Sequence, residues 1–225
     1  MTLQTVIFDF DGTIANSFQI ALQIANSIAP EYGYRPARAD EVEALRRASY
    51  REVASQLGVA WHKIPLIAAR VRRELSRSLE QMETFEGLPG VLGELRERGL
   101  RLGILTSNAK SNVERFLALR GLPHFDFIST SSNVWGKERR LKTLLRDHGL
   151  VANQVAYVGD EVRDIEATKP LDICMIAVAW GYTAPKLLSA HMPDHLIESP
   201  ADLLSILRPG ERPSSRSLLN DISIS

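Results

Sequence analysis

Asp9 and Asp11 stand two residues apart in the run Asp9-Phe10-Asp11-Gly12-Thr13, directly after an apolar stretch. Residues two apart on extended backbone point to the same side, so the two carboxylates converge. Such a pair can divide labour, one attacking as an anion while the other carries a proton. The competing reading is an ordinary strand-to-turn transition ending on a glycine. A second acidic pair, Asp160 and Asp164, lies four residues apart in Gly159-Asp160-Glu161-Val162-Arg163-Asp164, again after an apolar run. Oxygen ligands from Asp9, Asp11 and Asp160 suit Mg²⁺. Thr106, Ser107 and Asn108 offer hydroxyls, an amide and backbone N–H groups at a helix entry, which suits phosphate oxygens or, alone, merely caps the helix. Lys137, just after Gly136, can neutralise an anion as a point charge or simply face solvent.

Groups this far apart in sequence act together only if strands bring their ends to one edge. Short apolar runs bounded by turn residues predict buried strands over Thr5–Phe10, Leu100–Leu105, Phe125–Ser129, Gln154–Val158, Ile173–Val178 and His195–Ile197. Helical patterns over Val91–Arg98, Asn112–Arg120, Lys137–His148 and Arg163–Lys169 alternate with them. That alternation predicts an α/β fold with a parallel sheet covered on both faces, whose strand carboxyl ends form the ligand edge. Residues 15–85 differ: they carry helical patterns over Glu41–Leu57 and Ile64–Leu79 and no convincing strand, and they read as a helical insertion after the first strand. Residues 35–77 hold ten Lys or Arg against five Asp or Glu, a weak signal for an anionic ligand. Residues 209–225, rich in Ser and polar, read as a frayed tail.

The 225 residues carry 27 basic and 27 acidic side chains, which argues against a dedicated nucleic-acid or membrane-surface binder. With 44% hydrophobic and 24% charged residues the composition is that of a globular protein. The longest apolar run, Ile173–Trp180, is far below the roughly 18 residues of a spanning helix. The first residues do not read as a signal peptide, and a cytoplasmic location is expected. Cys174 is the single cysteine, so an intrachain disulfide is excluded; a buried inert thiol is expected there. His191 and His195 have helical spacing, but Pro193 between them argues against a metal pair. Trp180, Gly181 and Tyr182 follow the fifth strand and either line the site or close the core, with the core reading favoured.

The four motifs in this order resemble the haloacid dehalogenase superfamily, in its phosphoglycolate phosphatase-like branch, across residues 1 to about 208. The resemblance implies a Rossmann-like core made of residues 1–14 and 86–208, with residues 15–85 as an inserted helical cap. It further implies a Mg²⁺-dependent phosphatase for a small phosphorylated metabolite such as phosphoglycolate, working as a monomer or homodimer. Asp9 would be the nucleophile forming an aspartyl-phosphate, and Asp11 the acid and base. Mg²⁺ would bind Asp9, the main-chain carbonyl of Asp11 and Asp160, supported by Asp164. Thr106, Ser107, Asn108 and Lys137 would hold the phosphoryl group. Asn16 and the run Lys169-Pro170-Leu171 depart from the family pattern away from these groups. The segment Leu45–Arg51 resembles the family's specificity loop, with Arg47 near a position where relatives often have Gly. Arg47, Tyr50 and Arg51 there either read the non-reacting end of an anionic substrate or solvate a helix start. A phosphomutase and a catalytically silent phosphate-binding protein are the alternatives.

Overall fold

The computed structural model describes residues 3–130 and 136–208, so the expected tail lies outside the described residues. β1 (Thr5–Phe8) leads into four helices, α1 (Phe18–Tyr32), α2 (Val42–Arg46), α3 (Tyr50–Leu57) and α4 (Ile64–Leu75). Helices and strands then alternate: α5 (Leu88–Glu97), β2 (Arg101–Thr106), α6 (Lys110–Leu119), β3 (Phe127–Thr130), α7 (Lys137–Asp147) and β4 (Val155–Gly159). The chain continues through α8 (Val162–Thr168), β5 (Cys174–Val178), α9 (Pro185–Ala190), β6 (His195–Ile197) and α10 (Asp202–Ile206).

The strands form one parallel sheet in the order β3-β2-β1-β4-β5-β6. All six expected strands are present, and this is the α/β fold that the alternation predicts. Side chains alternate across the sheet with a period of two, which sorts its buried residues into two layers. Val6, Phe8, Leu102, Ile104, Val158 and Ile176 pack on one face. Ile7, Leu105, Tyr157, Met175 and Ala177 pack on the other. Because β1 pairs with both β2 and β4, with Phe8 in register with Ile104 and Val158, the residues just beyond those three strands meet at one edge. This edge is the topological switch point of the doubly wound order.

The helical insertion holds no strand among the described residues between Phe18 and Gln81. The pattern over Glu41–Leu57 is interrupted: α2 stops at Arg46, and Ser49 starts α3 with a capping box. The Ser49 hydroxyl accepts from the Glu52 N–H at 3.3 Å, while the Glu52 carboxylate accepts from the Ser49 N–H at 2.7 Å. The pattern over Ile64–Leu79 likewise ends at Leu75 as an α-helix. The two chain segments that flank the helical stretch run side by side. Ala15 bridges both Asp11 and Thr84, and the Asn16 N–H donates to the Glu83 carbonyl at 2.9 Å. Ala21, Leu75, Leu79 and Met82 root the insertion in the first core layer. Among the described residues no helix is long and apolar enough to cross a membrane.

Phe116 in α6 anchors the edge beneath the acidic motif, its ring edge-on to Phe10 with centroids 5.2 Å apart. Both rings are fully buried. Phe116→Ala is expected to lower the unfolding free energy by about 3–5 kcal/mol through lost transfer energy and a cavity, read by urea denaturation.

Candidate active site

Every acid of the two expected pairs lies at the carboxyl edge of β1 or β4. Asp9 follows β1 directly, its N–H donating to the Val158 carbonyl at 2.9 Å and its Oδ1 accepting from the Phe10 N–H at 2.7 Å. Asp160 follows β4 and is fully buried. Its two oxygens accept from the Thr13 hydroxyl and the Tyr182 N–H, each at 2.7 Å. Asp164, in the first turn of α8, accepts from the Glu161 N–H at 3.1 Å. Ligand oxygens of Asp9, Asp160 and Asp164 all lie within 4.8 Å of one another.

Lys137, the first residue of α7, reaches into this cluster and pairs with Asp9 at 2.6 Å and with Asp164. Burial works against its ammonium, and the Asp164 and Asp9 carboxylates outweigh it, so its pKa stands above the ordinary lysine value. Asp160 is pushed well above the usual carboxylate range by burial and by the Glu161, Asp9 and Asp164 charges around it. Burial likewise pushes Asp164 up to about 6, against the lowering pull of Lys137. Buried acids crowded in this way with raised pKa values fit a divalent cation held on oxygen, because such an ion removes the repulsion that raises them.

Asp11 occupies a different environment. Its Oδ2 accepts from the Asn108 side-chain amide at 3.3 Å, while its Oδ1 is buried and has no hydrogen-bond partner. Burial first, and the Asp9 charge second, push its pKa up to about 6. An aspartate free in water, near 3.9, would be a poor proton donor at neutral pH, so this environment supplies what acid–base work needs.

The hydroxyl motif ends β2 beside these acids. Thr106 is buried, its Oγ1 accepts from the Asn108 N–H at 3.0 Å, and Asn108 is pinned in turn by Ala109 and Asn112. Ser107 lies between them, partly exposed. Asp9, Asp11, Thr106, Asn108, Lys137, Asp160 and Asp164 therefore share one edge. Of the residues expected to meet the substrate's non-reacting end, Arg47 is 59% exposed and pairs with Glu43, and the Arg51 guanidinium lies over the Trp61 ring. Tyr50 is set apart from both: the residue is 51% exposed, while desolvation around its hydroxyl and the nearby Glu161 charge raise the phenol well above its ordinary pKa.

Several residues at this edge have parts that the sequence reading did not assign. Thr13 and Tyr182 orient Asp160, the Tyr182 hydroxyl lies 3.0 Å from the Ser17 hydroxyl, and the Arg46 guanidinium donates to the carbonyls of Gly181 and Tyr182. The stretch after β5 thus lines the site instead of only closing the core. Gly12 has φ +80°, and a Cβ there would sit 2.3 Å from Asp160. Position 12 therefore tolerates only glycine, a constraint visible in the motif itself.

A family model described as haloacid dehalogenase-like hydrolase matches residues 6–178, the span that holds all of these groups. The chain belongs to the haloacid dehalogenase-like hydrolases. Within that family it is phosphoglycolate phosphatase-like: it is 38% identical to a phosphoglycolate phosphatase of Synechococcus elongatus over 204 residues, covering 90% of this chain and 96% of that one. It is also 25% identical to the pyrophosphatase PpaX of Bacillus mycoides over 211 residues, 92% of this chain and 98% of the relative. A haloacid dehalogenase-like hydrolase of Streptococcus pneumoniae has the same fold, with a TM-score of 0.73 at 21% identity over 90% of this chain and 97% of that structure. The resemblance read from the four motifs is thereby borne out, and haloacid dehalogenase-like hydrolase is the enzyme class.

Lys137 is 12% exposed and its partners Asp9 and Asp164 5% and 0%, so removing it strands two buried carboxylates. Lys137→Met is expected to cost about 3–5 kcal/mol of stability. A divalent cation at about 100 times its Kd should raise wild-type stability by about 2.7 kcal/mol, seen as a Tm increase absent in Asp160→Asn.

Proposed function

We infer that the protein is a Mg²⁺-dependent phosphatase that hydrolyses a small phosphate monoester, phosphoglycolate above all, through an aspartyl-phosphate on Asp9. The observation that carries this reading is the contrast between two acids two residues apart: Asp9 held by Lys137 at 2.6 Å, and Asp11 raised to about 6 with one oxygen unpartnered. Neighbouring carboxylates in such unlike environments divide into nucleophile and acid.

A carboxylate oxygen of Asp9 attacks phosphorus as the bond from phosphorus to the ester oxygen breaks, and protonated Asp11 delivers its proton to the departing alkoxide. Asp11, now an anion, takes a proton from water as that water attacks the phosphorus. The bond from phosphorus to Asp9 breaks, and inorganic phosphate leaves. Lys137 and the amides after Thr106 balance charge on the phosphoryl oxygens throughout. The Thr106 hydroxyl, already accepting from Asn108, retains a proton to donate to one of those oxygens. Asp9, Asp160 and the main-chain carbonyl of Asp11, supported by Asp164, would hold Mg²⁺, which when bound would supply further neutralisation of charge on the phosphoryl group. Residues 15–85 act as a cap, closing the site against water and supplying contacts to the rest of the substrate.

The identity to a phosphoglycolate phosphatase over nine-tenths of the chain supports this substrate. Phosphate release from phosphoglycolate with Mg²⁺ is the expected result. Asp9→Asn should reduce it by on the order of 10³-fold or more while still unfolding in one cooperative transition, which separates lost chemistry from a lost fold. Turnover retained by that variant would overturn the nucleophile, and transfer of the phosphoryl group between sugars faster than its release would overturn the hydrolase in favour of a mutase.

A further inference from the structure

Arg46 closes α2, and each nitrogen of its guanidinium has a partner. Nη2 donates to the Gly181 carbonyl at 2.7 Å, Nε to the Tyr182 carbonyl at 3.2 Å, and Nη1 to Glu43 at 3.0 Å. The main-chain carbonyl of Arg46 accepts from the Ala184 N–H at 2.9 Å. The guanidinium also lies 5.4 Å from the centre of the Phe18 ring, and that ring meets the Tyr182 ring edge-on with centroids 5.3 Å apart. One residue of the helical stretch thus grips the segment after β5 at Gly181, Tyr182 and Ala184. A lysine would bring the charge without the fork that spans two carbonyls.

This grip bears on Asp160 through a single peptide. The Gly181 carbonyl and the Tyr182 N–H belong to the same trans peptide, so they point in opposite directions. Arg46 holds the carbonyl end, and the N–H end donates to Asp160 Oδ2 at 2.7 Å. Rotation of that peptide would break both bonds together. Hydrogen bonds linked in series also polarise one another, so a cation on the carbonyl makes the N–H a stronger donor. The other Asp160 oxygen accepts from the Thr13 hydroxyl, and these two donors orient a fully buried carboxylate towards Asp9 and Asp164.

We propose that Arg46 is a positioning residue for the metal site, acting through the Gly181–Tyr182 peptide to hold Asp160 in the orientation that takes the cation. The assignment rests on the Mg²⁺ site of the proposed function. It couples docking of the helical stretch to occupancy of that site, and each favours the other by the same factor. The sign of the effect separates this role from simple electrostatics. Arg46 is a cation close to a cation site, so charge alone predicts that its removal tightens Mg²⁺ binding, whereas loss of positioning weakens it.

The test is a calorimetric titration of Mg²⁺ into the full chain without substrate, for wild type, Arg46→Met and Arg46→Lys. Arg46→Met keeps the apolar stem and removes the donors, and it should raise the Mg²⁺ Kd about 10-fold, with Arg46→Lys between it and the wild type. Thermal melting of the metal-free proteins distinguishes positioning from anchoring. A lowered metal-free Tm with an unchanged Kd in Arg46→Met shows an anchor only and overturns the proposal, as does a lower Kd. Where Arg46→Met does not melt cooperatively, Arg46→Lys carries the test: a smaller rise in Kd supports the proposal, and an unchanged Kd overturns it. Either failure leaves the phosphatase reading standing. Absence of Mg²⁺ binding by the wild type overturns the metal site of that reading, and the positioning role with it.

Discussion

The ammonium of Lys137, set between Asp9 and Asp164, is the interaction on which the rest of this site depends. Three carboxylates drawn to one sheet edge and away from water repel one another by several kcal/mol per pair at the separations found here. Without a cation among them, the protein could hold them there only by protonating some of them. Lys137 supplies part of the balance from α7, and the remaining deficit suits a divalent ion. The same imbalance raises Asp160 and Asp164, and the desolvation that causes most of it also raises Asp11. Electrostatic cost in the fold and reactivity at the edge share one origin.

Backbone geometry keeps these charges in place. β1 lies between β2 and β4, so three of the four motifs leave the sheet side by side. Close approach then matters: a Cβ on Gly181 would sit 2.3 Å from Asp160, as one on Gly12 would. Asp160 is thus enclosed by two backbone segments with no room for a side chain on either. The Thr13 hydroxyl and Tyr182 N–H that accompany those segments fix its oxygens.

Much of this was legible in the sequence because it depends on local pattern. The six strands follow from apolar runs, and Asp9, Asp11, Asp160 and Lys137 follow from what stands just after them or opens the next helix. The environment of Asp11 was not legible, since it depends on burial that only the folded chain creates. Nor was the inward-facing part of the helical insertion. The resemblance of Leu45–Arg51 to the family's specificity loop groups Arg47, Tyr50 and Arg51 together, whereas the break at Arg47–Ser49 ends one helix and restarts another at Tyr50. The Ser49-x-x-Glu52 signature of that restart was present in the sequence.

Ala15 is bridged on one side to Asp11 and on the other to Thr84, so the peptide that carries the acid is continuous with the tether of the helical segment. This junction behaves as a socket. Outside the core contacts of Ala21, Leu75, Leu79 and Met82, the helices beyond Phe18 can vary without displacing the acid, whose Oδ2 is held by Asn108 of the sheet edge. A single insertion or deletion between Gly12 and Asn16 would displace Asp11 and the tether together. The part of the chain most open to diversification is therefore plugged into the part least able to change length.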